Sequence, residues 1–196
     1  MILLLLWLVW SFEQDAVGAE PKGFEFASAK GTQAGRWAVE KDGENHVLAQ
    51  RDADESDDRF AMALVIDSKF KDLTLSVRGK PLDGRVDRAV GVVWRYKDEN
   101  NYYVARSNIL EKNVRLYRVV DGRRIRFAGK EKLEFKAGEW QTLKIEHKGY
   151  TIAVFLNGEK LFEAEDKTFP DAGKIGVWIK SDSITLFDDL NAEELK

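Results

Sequence analysis

From residue 36 to residue 190 the chain is written in short runs of alternating apolar and polar residues, each ended by a turn. RWAVE (36–40) is followed by Asp42-Gly43 and HVLAQ (46–50), then come RFAMALVID (59–67), LTLSVRG (73–79), AVGVVWRY (89–96), NYYVARS (101–107) and VRLYRVV (114–120). Asp121-Gly122 joins the last of these to RRIRFAG (123–129), and QTLKIEHKG (141–149), YTIAVFLNG (150–158) and EKLFEAE (159–165) form a meander with a turn at Asn157-Gly158. GKIGVWIK (173–180) and SITLFDDL (183–190) end the series. A period of two is that of a strand with one dry and one wet face, and Asp-Gly and Asn-Gly supply the positive φ that tight hairpins require. The pattern predicts an all-β, antiparallel sandwich of two sheets packed face to face.

The phase of each run says which side chains meet the core. Leu143, Ile145 and His147 share the inner phase, as do Ile152, Val154 and Leu156. In AVGVVWRY the large apolar phase is Val90, Val92, Trp94 and Tyr96, which sends Arg95 to the opposite face. In NYYVARS the smaller set, Tyr103, Ala105 and Ser107, packs inward and leaves Tyr102 and Arg106 outside. Leu116 turns its phase inward, although Arg118 shares it, and leaves Arg115 and Tyr117 outside. If these strands are neighbours, Arg95, Tyr102, Arg106, Arg115 and Tyr117 form one patch. Aromatic faces stack on the C–H faces of sugars, and arginine forks donate paired hydrogen bonds to hydroxyl or carboxylate oxygens. The competing reading is that these arginines pair with Asp98, Glu99 or Glu111 and only solubilise the sheet. Trp178, in phase with Lys180, is either an exposed stacking platform or a residue covered by a loop. The DENN segment (98–101) has the residue types that shape a turn. The basic run RRIR (123–126) and the acidic run DADESDD (52–58) read as a solvated hairpin and a solvated turn.

The N-terminus changes the picture. MILLLLWLVW is an apolar run followed by polar residues and Ala16-Val17-Gly18-Ala19, the order of a secretory signal peptide cleaved after Ala19, with an uncleaved N-terminal anchor as the alternative. The expected organisation is a leader, 1–19, and one domain, 20–196, that is secreted or periplasmic and not stably inserted in a membrane. Glu13 and Asp15 are the only charged residues of the leader, so its removal takes the net charge from −3 to −1. Such a balance argues against a nucleic-acid binder. With no cysteine in the chain, neither disulfides nor thiolate metal sites are available.

GVVWRYKDENNYYVARSN, NVRLYRVVDGRR, GEWQTLKIEHKGYTIAVFLNGEKL and GKIGVWIKSDSITLFDDL resemble the concanavalin A-like lectin/glucanase (laminin-G-like) superfamily. Within it they are most similar to the bacterial secreted domains called 3-keto-disaccharide hydrolases or left without a function. The resemblance spans about residues 24–191. It implies a jelly-roll sandwich with a concave sheet that often binds carbohydrate. It leaves three functions open: a carbohydrate-binding or recognition domain, a glycoside-cleaving enzyme of the 3-keto-disaccharide type, and an adhesion module that contacts protein. The Glu-x-Asp-x-x-Glu strand of the superfamily's glucanases is missing from this sequence. Sandwiches of this type often hold Ca²⁺ through loop carboxylates, for which Asp98, Asp188 and Asp189 are the candidates.

Overall fold

The alternating runs become strands in the computed structural model, which describes residues 7–196. In chain order they are β1 (Trp7–Trp10), β2 (Phe24–Ser28), β3 (Trp37–Asp42), β4 (Asn45–Gln50), β5 (Ala61–Val65), β6 (Leu73–Asp83), β7 (Ala89–Asp98), β8 (Asn101–Asn108), β9 (Asn113–Val120), β10 (Arg123–Glu131), β11 (Gln141–Lys148), β12 (Thr151–Leu156), β13 (Glu159–Glu165), β14 (Lys174–Trp178) and β15 (Ile184–Glu194). The hairpin turns follow their sequence signals. Asp121 and Gly122 have φ of 49° and 74°, and Asn157 and Gly158 have 49° and 84°, the positive pair that matches the twist of the flanking strands. The first sheet runs β13-β12-β11-β6-β15-β4-β3, with β1 also paired to β15, and the second runs β10-β9-β8-β7-β14-β5-β2.

The inner faces meet as the phases predict. Val90, Val92, Trp94, Tyr103, Ala105, Val114 and Leu116 of the second sheet join Leu143, Ile145, Ile152, Val154 and Leu156 of the first in one buried cluster. Truncating such a residue to alanine costs about 2–5 kcal/mol. His147 is fully buried among them, and its Nδ1 accepts the indole N–H of Trp94 at 2.9 Å. Burial, helped by the nearby Arg95 charge, pushes the imidazole down to about 4, so His147 is neutral at pH 7.

One expected phase fails. A bulge shifts the β7–β8 register between Trp94 and Asp98, and Arg95 takes a φ of 45°. The extra residue exchanges the two side chains that follow Trp94. Tyr96 goes to the outer face, 5.8 Å from Tyr102. Arg95 is buried instead at the end of the sandwich, donating to the carbonyls of Lys71 (2.9 Å), Phe169 (2.7 Å) and Gly149 (3.2 Å) and to Asp72 (3.2 Å). It ties three loops together and is not part of the outer patch.

β1 and β2 lie outside the runs picked from the sequence. β1 places Trp7 opposite Glu193 and Trp10 opposite Leu190. Phe12 is buried, and Val39 bonds through its backbone to Gly18 and Ala19, both at 2.8 Å. The expected leader therefore contributes to the first sheet from residue 7 onward, and residues 1–6 of it lie outside the described residues. Among the described residues no helix is long and apolar enough to cross a membrane.

Candidate binding site on the outer face of the second sheet

Register builds this face. Ala27, Met62, Trp178, Gly91, Arg106, Arg115 and Gly129 form one row across seven strands. Gly91 is a steric requirement, because a Cβ there would stand 2.7 Å from the Trp178 carbonyl oxygen and 3.0 Å from its indole ring. The indole thus sinks to backbone level and stacks on Phe60 at 5.4 Å between centroids. Tyr102, Val104, Tyr117 and Val119 pack beside it in a second apolar cluster, separate from the core between the sheets. Trp178 is covered, with no exposed surface. Over this floor lies Arg124 of the edge strand β10, its guanidinium 4.6 Å from the Tyr117 ring, 4.9 Å from Phe60 and 5.8 Å from Trp178.

Charged residues gather at one end. Arg106, 1 % exposed, donates to Asp87 Oδ2 at 2.8 Å and to Glu111 Oε2 at 2.7 Å, and Asn108 donates to the other Asp87 oxygen at 3.0 Å. Burial pushes the Asp87 carboxyl up to about 6 against the pull of Arg106 and Lys180. Burial also works to raise Glu111, but Asn113, Arg106 and Arg115 outweigh it and hold its carboxyl below the ordinary value. The acidic run expected as a solvated turn is docked here. Asp57 pairs with Lys180, Asp52 pairs with the buried Arg59 at 2.8 Å, and Ser181 Oγ donates to the Ser56 carbonyl at 3.0 Å.

What distinguishes this face is unused hydrogen-bonding capacity. Among the described residues, seven buried side-chain polar atoms have no hydrogen-bond partner, and four of them are here: Tyr102 Oη, Arg106 Nε, Arg124 Nη1 and Trp178 Nε1. The phenol and the indole N–H face each other without a hydrogen bond of normal geometry. Burial holds the Tyr102 phenol well above its ordinary value, so it stays neutral. Buried polar groups are as a rule paired, and each unpaired one costs about 1–3 kcal/mol. Four together over an aromatic floor are what a ligand rich in oxygen acceptors would satisfy.

Two grooves, each about 600 Å³, lie elsewhere. One is lined by Arg95, Tyr96 and Phe169, the other by Arg118, Tyr150 and Asp166. Their buried groups are already used: Asp166 pairs with Arg118 and accepts the Tyr103 hydroxyl at 2.6 Å. Volume alone does not select them over the face with unpaired donors.

Residues 15–191 match the profile of the 3-keto-alpha-glucoside-1,2-lyase-like domain. The chain belongs to this family. Among curated proteins none matches it by sequence. In fold, the lyase-like domain is similar to the carbohydrate-binding module CBM66 from Bacillus subtilis, with TM-score 0.68, 20 % identity, and coverage of 86 % of this chain and 95 % of that one. It is also similar to the exoplasmic/lumenal domain of VIP36 in its Ca²⁺/mannose-bound form (TM-score 0.65, 10 % identity, 96 % and 89 % covered). A Bacillus subtilis protein of unknown function with a galectin-like fold matches at TM-score 0.61 and 11 % identity over 88 % and 90 % of the two chains. At these identities the likeness is one of fold.

In the lyase-like domain the expected patch is assembled in part. Tyr102, Arg106, Tyr117 and Trp178 come together on one face, and Arg115 stands at its rim, paired with Glu131 at 2.9 Å and Glu111 at 2.7 Å. Arg95 is elsewhere, as described. The candidate Ca²⁺ ligands do not converge. Asp98 accepts from Asn100 and Asn101 at 2.9 Å in the β7–β8 turn of the second sheet, whereas Asp188 and Asp189 belong to β15 of the first. There Asp188 accepts from Asn45 at 2.7 Å and Asp189 pairs with Arg78 at 3.1 Å. Among the described residues no three His, Cys, Asp or Glu side chains converge on a point that could hold a metal ion. Sequence reasoning missed Phe60, Asp87 and Arg124. Only Arg124 carried a signal: it alternates with Arg126 through RRIR, which puts it in one phase of the edge strand.

Proposed function

We propose that the protein binds a carbohydrate on the outer face of the second sheet. Phe60, Tyr102, Tyr117 and Trp178 form the stacking floor, and Arg106, Arg124, Tyr102 and Trp178 are the hydrogen-bond donors. The observation that carries this reading is the set of four unpartnered buried polar atoms, two on those aromatic residues and two on the arginines beside them. The family and the sugar-binding names of two proteins of like fold support it. Trp178→Phe together with Tyr102→Phe keeps most of the apolar floor and removes two of the donors. The doubly substituted protein should lose sugar affinity in calorimetry while its unfolding temperature stays close to that of the parent. Unchanged affinity would remove this face from consideration.

A second reading, glycoside cleavage, is favoured by Asp87, a buried carboxyl held near pH 6 beside the same donors. In the elimination named by the family, a base takes the proton from C2, next to the C3 keto group. The C1=C2 double bond then forms as the C1–O bond breaks, the departing oxygen leaves as an alcohol with a proton from the protonated base or water, and N–H donors stabilise the charge on the keto oxygen meanwhile. Asp87 is the candidate base. Incubation with a 3-keto-glucoside, with and without EDTA, should give product from the parent and none from Asp87→Asn; no product from the parent leaves the binding reading alone.

The reading includes export, supported by the order of residues in the first nineteen positions. N-terminal sequencing of protein recovered from the producing cell would find Glu20 first if the leader is removed, and an earlier residue if β1 is retained.

A further inference from the structure

The charges on this face bear on what kind of sugar it takes, an inference that rests on the sugar-binding reading above. Among the described residues, the cations around Arg124 pair with carboxylates where they lie. Arg106 holds Asp87 and Glu111, Arg115 holds Glu111 and Glu131, Arg126 holds Glu131, and Lys180 holds Asp57. Arg124 differs. It makes no ion pair among the described residues; its guanidinium rests on the rings of Phe60, Tyr117 and Trp178, and its buried Nη1 has no hydrogen-bond partner. Aromatic faces compensate a cation only in part, and burial disfavours the charge it carries.

The other unpartnered atoms around it are Arg106 Nε, Trp178 Nε1 and the Tyr102 hydroxyl. Indole and guanidinium nitrogens donate and never accept. Neutral sugar hydroxyls both donate and accept, so they use such a set only by halves. A carboxylate only accepts, and it meets a guanidinium through two parallel bonds. The geometry points to a carboxylated sugar, a uronate, as the ligand of this face, with Arg124 turning from the aromatic floor onto the carboxylate. Arg124 stands on β10, the edge of its sheet, so no further strand of that sheet blocks the turn. Arg124 then sets specificity for charge, while the rings beneath it bind the sugar body.

The test uses the full chain and an array of neutral, uronate-bearing and sulfated glycans, followed by calorimetry on the best binder and, for a uronate, on its methyl ester. The parent should bind uronate glycans, with affinity falling as salt rises. Esterification should weaken binding about ten- to a hundredfold, the worth of a hydrogen-bonded charge. Arg124→Met should lose as much, and Arg124→Lys should recover part of it. Uronate binding that ignores both the ester and Arg124→Met overturns the assignment. Binding of neutral glycans alone, or of sulfated glycans alone, overturns it too but leaves the sugar-binding reading standing. Failure to bind any glycan removes both. If Arg124→Met does not fold, the comparison of acid with ester on the parent decides.

Discussion

The two sheets each place a tryptophan under an arginine on their outer faces, and the two pairs are finished differently. On the first sheet Arg78 lies 4.9 Å from the Trp140 ring, the indole N–H donates to Asp42 at 3.1 Å, and Asp42 also takes Lys80 at 3.0 Å. Arg78 has its own carboxylate, Asp189, at 3.1 Å. On the second sheet Trp178 and Arg124 have the same relation, but the indole is fully buried, and among the described residues its N–H has no hydrogen-bond partner and the arginine makes no ion pair. The residue types are alike, so what separates the faces is whether polar capacity is used. At a wet surface neighbours close such a network and little free energy is at stake. In a covered face an unmade bond is costly, and several unmade bonds gathered in one place are the ground of the binding proposal.

The largest test of this contrast is truncation. Trp178→Ala should cost about 3–5 kcal/mol in urea unfolding, as for a buried tryptophan, and abolish sugar binding. Trp140→Ala should cost about 1–2 kcal/mol and leave binding unchanged. Equal costs, or equal effects on binding, would erase the distinction between the faces.

Acid titration sharpens it. On the first face Asp42 lies below its ordinary value because Lys80 and Trp140 bond to it, so its contribution to stability is present above the unfolded pKa of 3.8 and is lost as pH falls further. On the second face Asp87 is raised from 3.8 to about 6. Its folded form holds a proton that the unfolded form releases, so stability is greatest below pH 3.8 and falls as pH rises to about 6. His147, lowered from 6.5 to about 4, acts in the opposite sense and loses stability as pH falls through that window. Each shift is worth about 3 kcal/mol, so the two nearly cancel and the parent should be almost flat between them. His147→Gln, which leaves Trp94 an acceptor, should gain stability on acidification from pH 7 to pH 4. Asp87→Asn should lose it. A flat profile in both variants would show that neither group is shifted as described.

The smallest effect belongs to the first face again. Glu40 accepts Arg51 at 2.5 Å with both side chains about one-third exposed, and Glu40→Gln should change stability by about 0–1 kcal/mol in the same unfolding assay. A cost near that of Trp178→Ala would mean that surface closure matters as much as burial.

Strand positions and most phases were legible because alternation is a direct print of burial on a pleated ribbon. That is why Tyr102, Arg106 and Tyr117 could be grouped before their contacts were seen, with Trp178 singled out separately. Arg95 could not be placed correctly, since a bulge adds a residue without any change in the residue types around it. Asp87 lies just outside a strand, where no period tells direction, and Phe60 falls in a run, 59–67, that is largely apolar in both phases and so does not say which face is outer. Arg124 was hidden by its company: in a run of arginines, the one folded back onto aromatic rings looks like those left in water. Trp178 was readable as to face but not as to cover, which comes from Phe60 and Arg124, both remote in sequence.

The strand order has a consequence for how the molecule is made. β14 and β15 come last in chain order among the described strands, yet each stands in the interior of its sheet, β14 between β7 and β5 and β15 between β6 and β4. Until that closing stretch has been synthesised, both layers are split into halves with raw backbone edges facing each other, and lasting closure is out of reach. The nascent polypeptide therefore cannot pair these inner edges before its last strands exist, and the pairings that then close both layers span long stretches of chain, the kind that make folding slow.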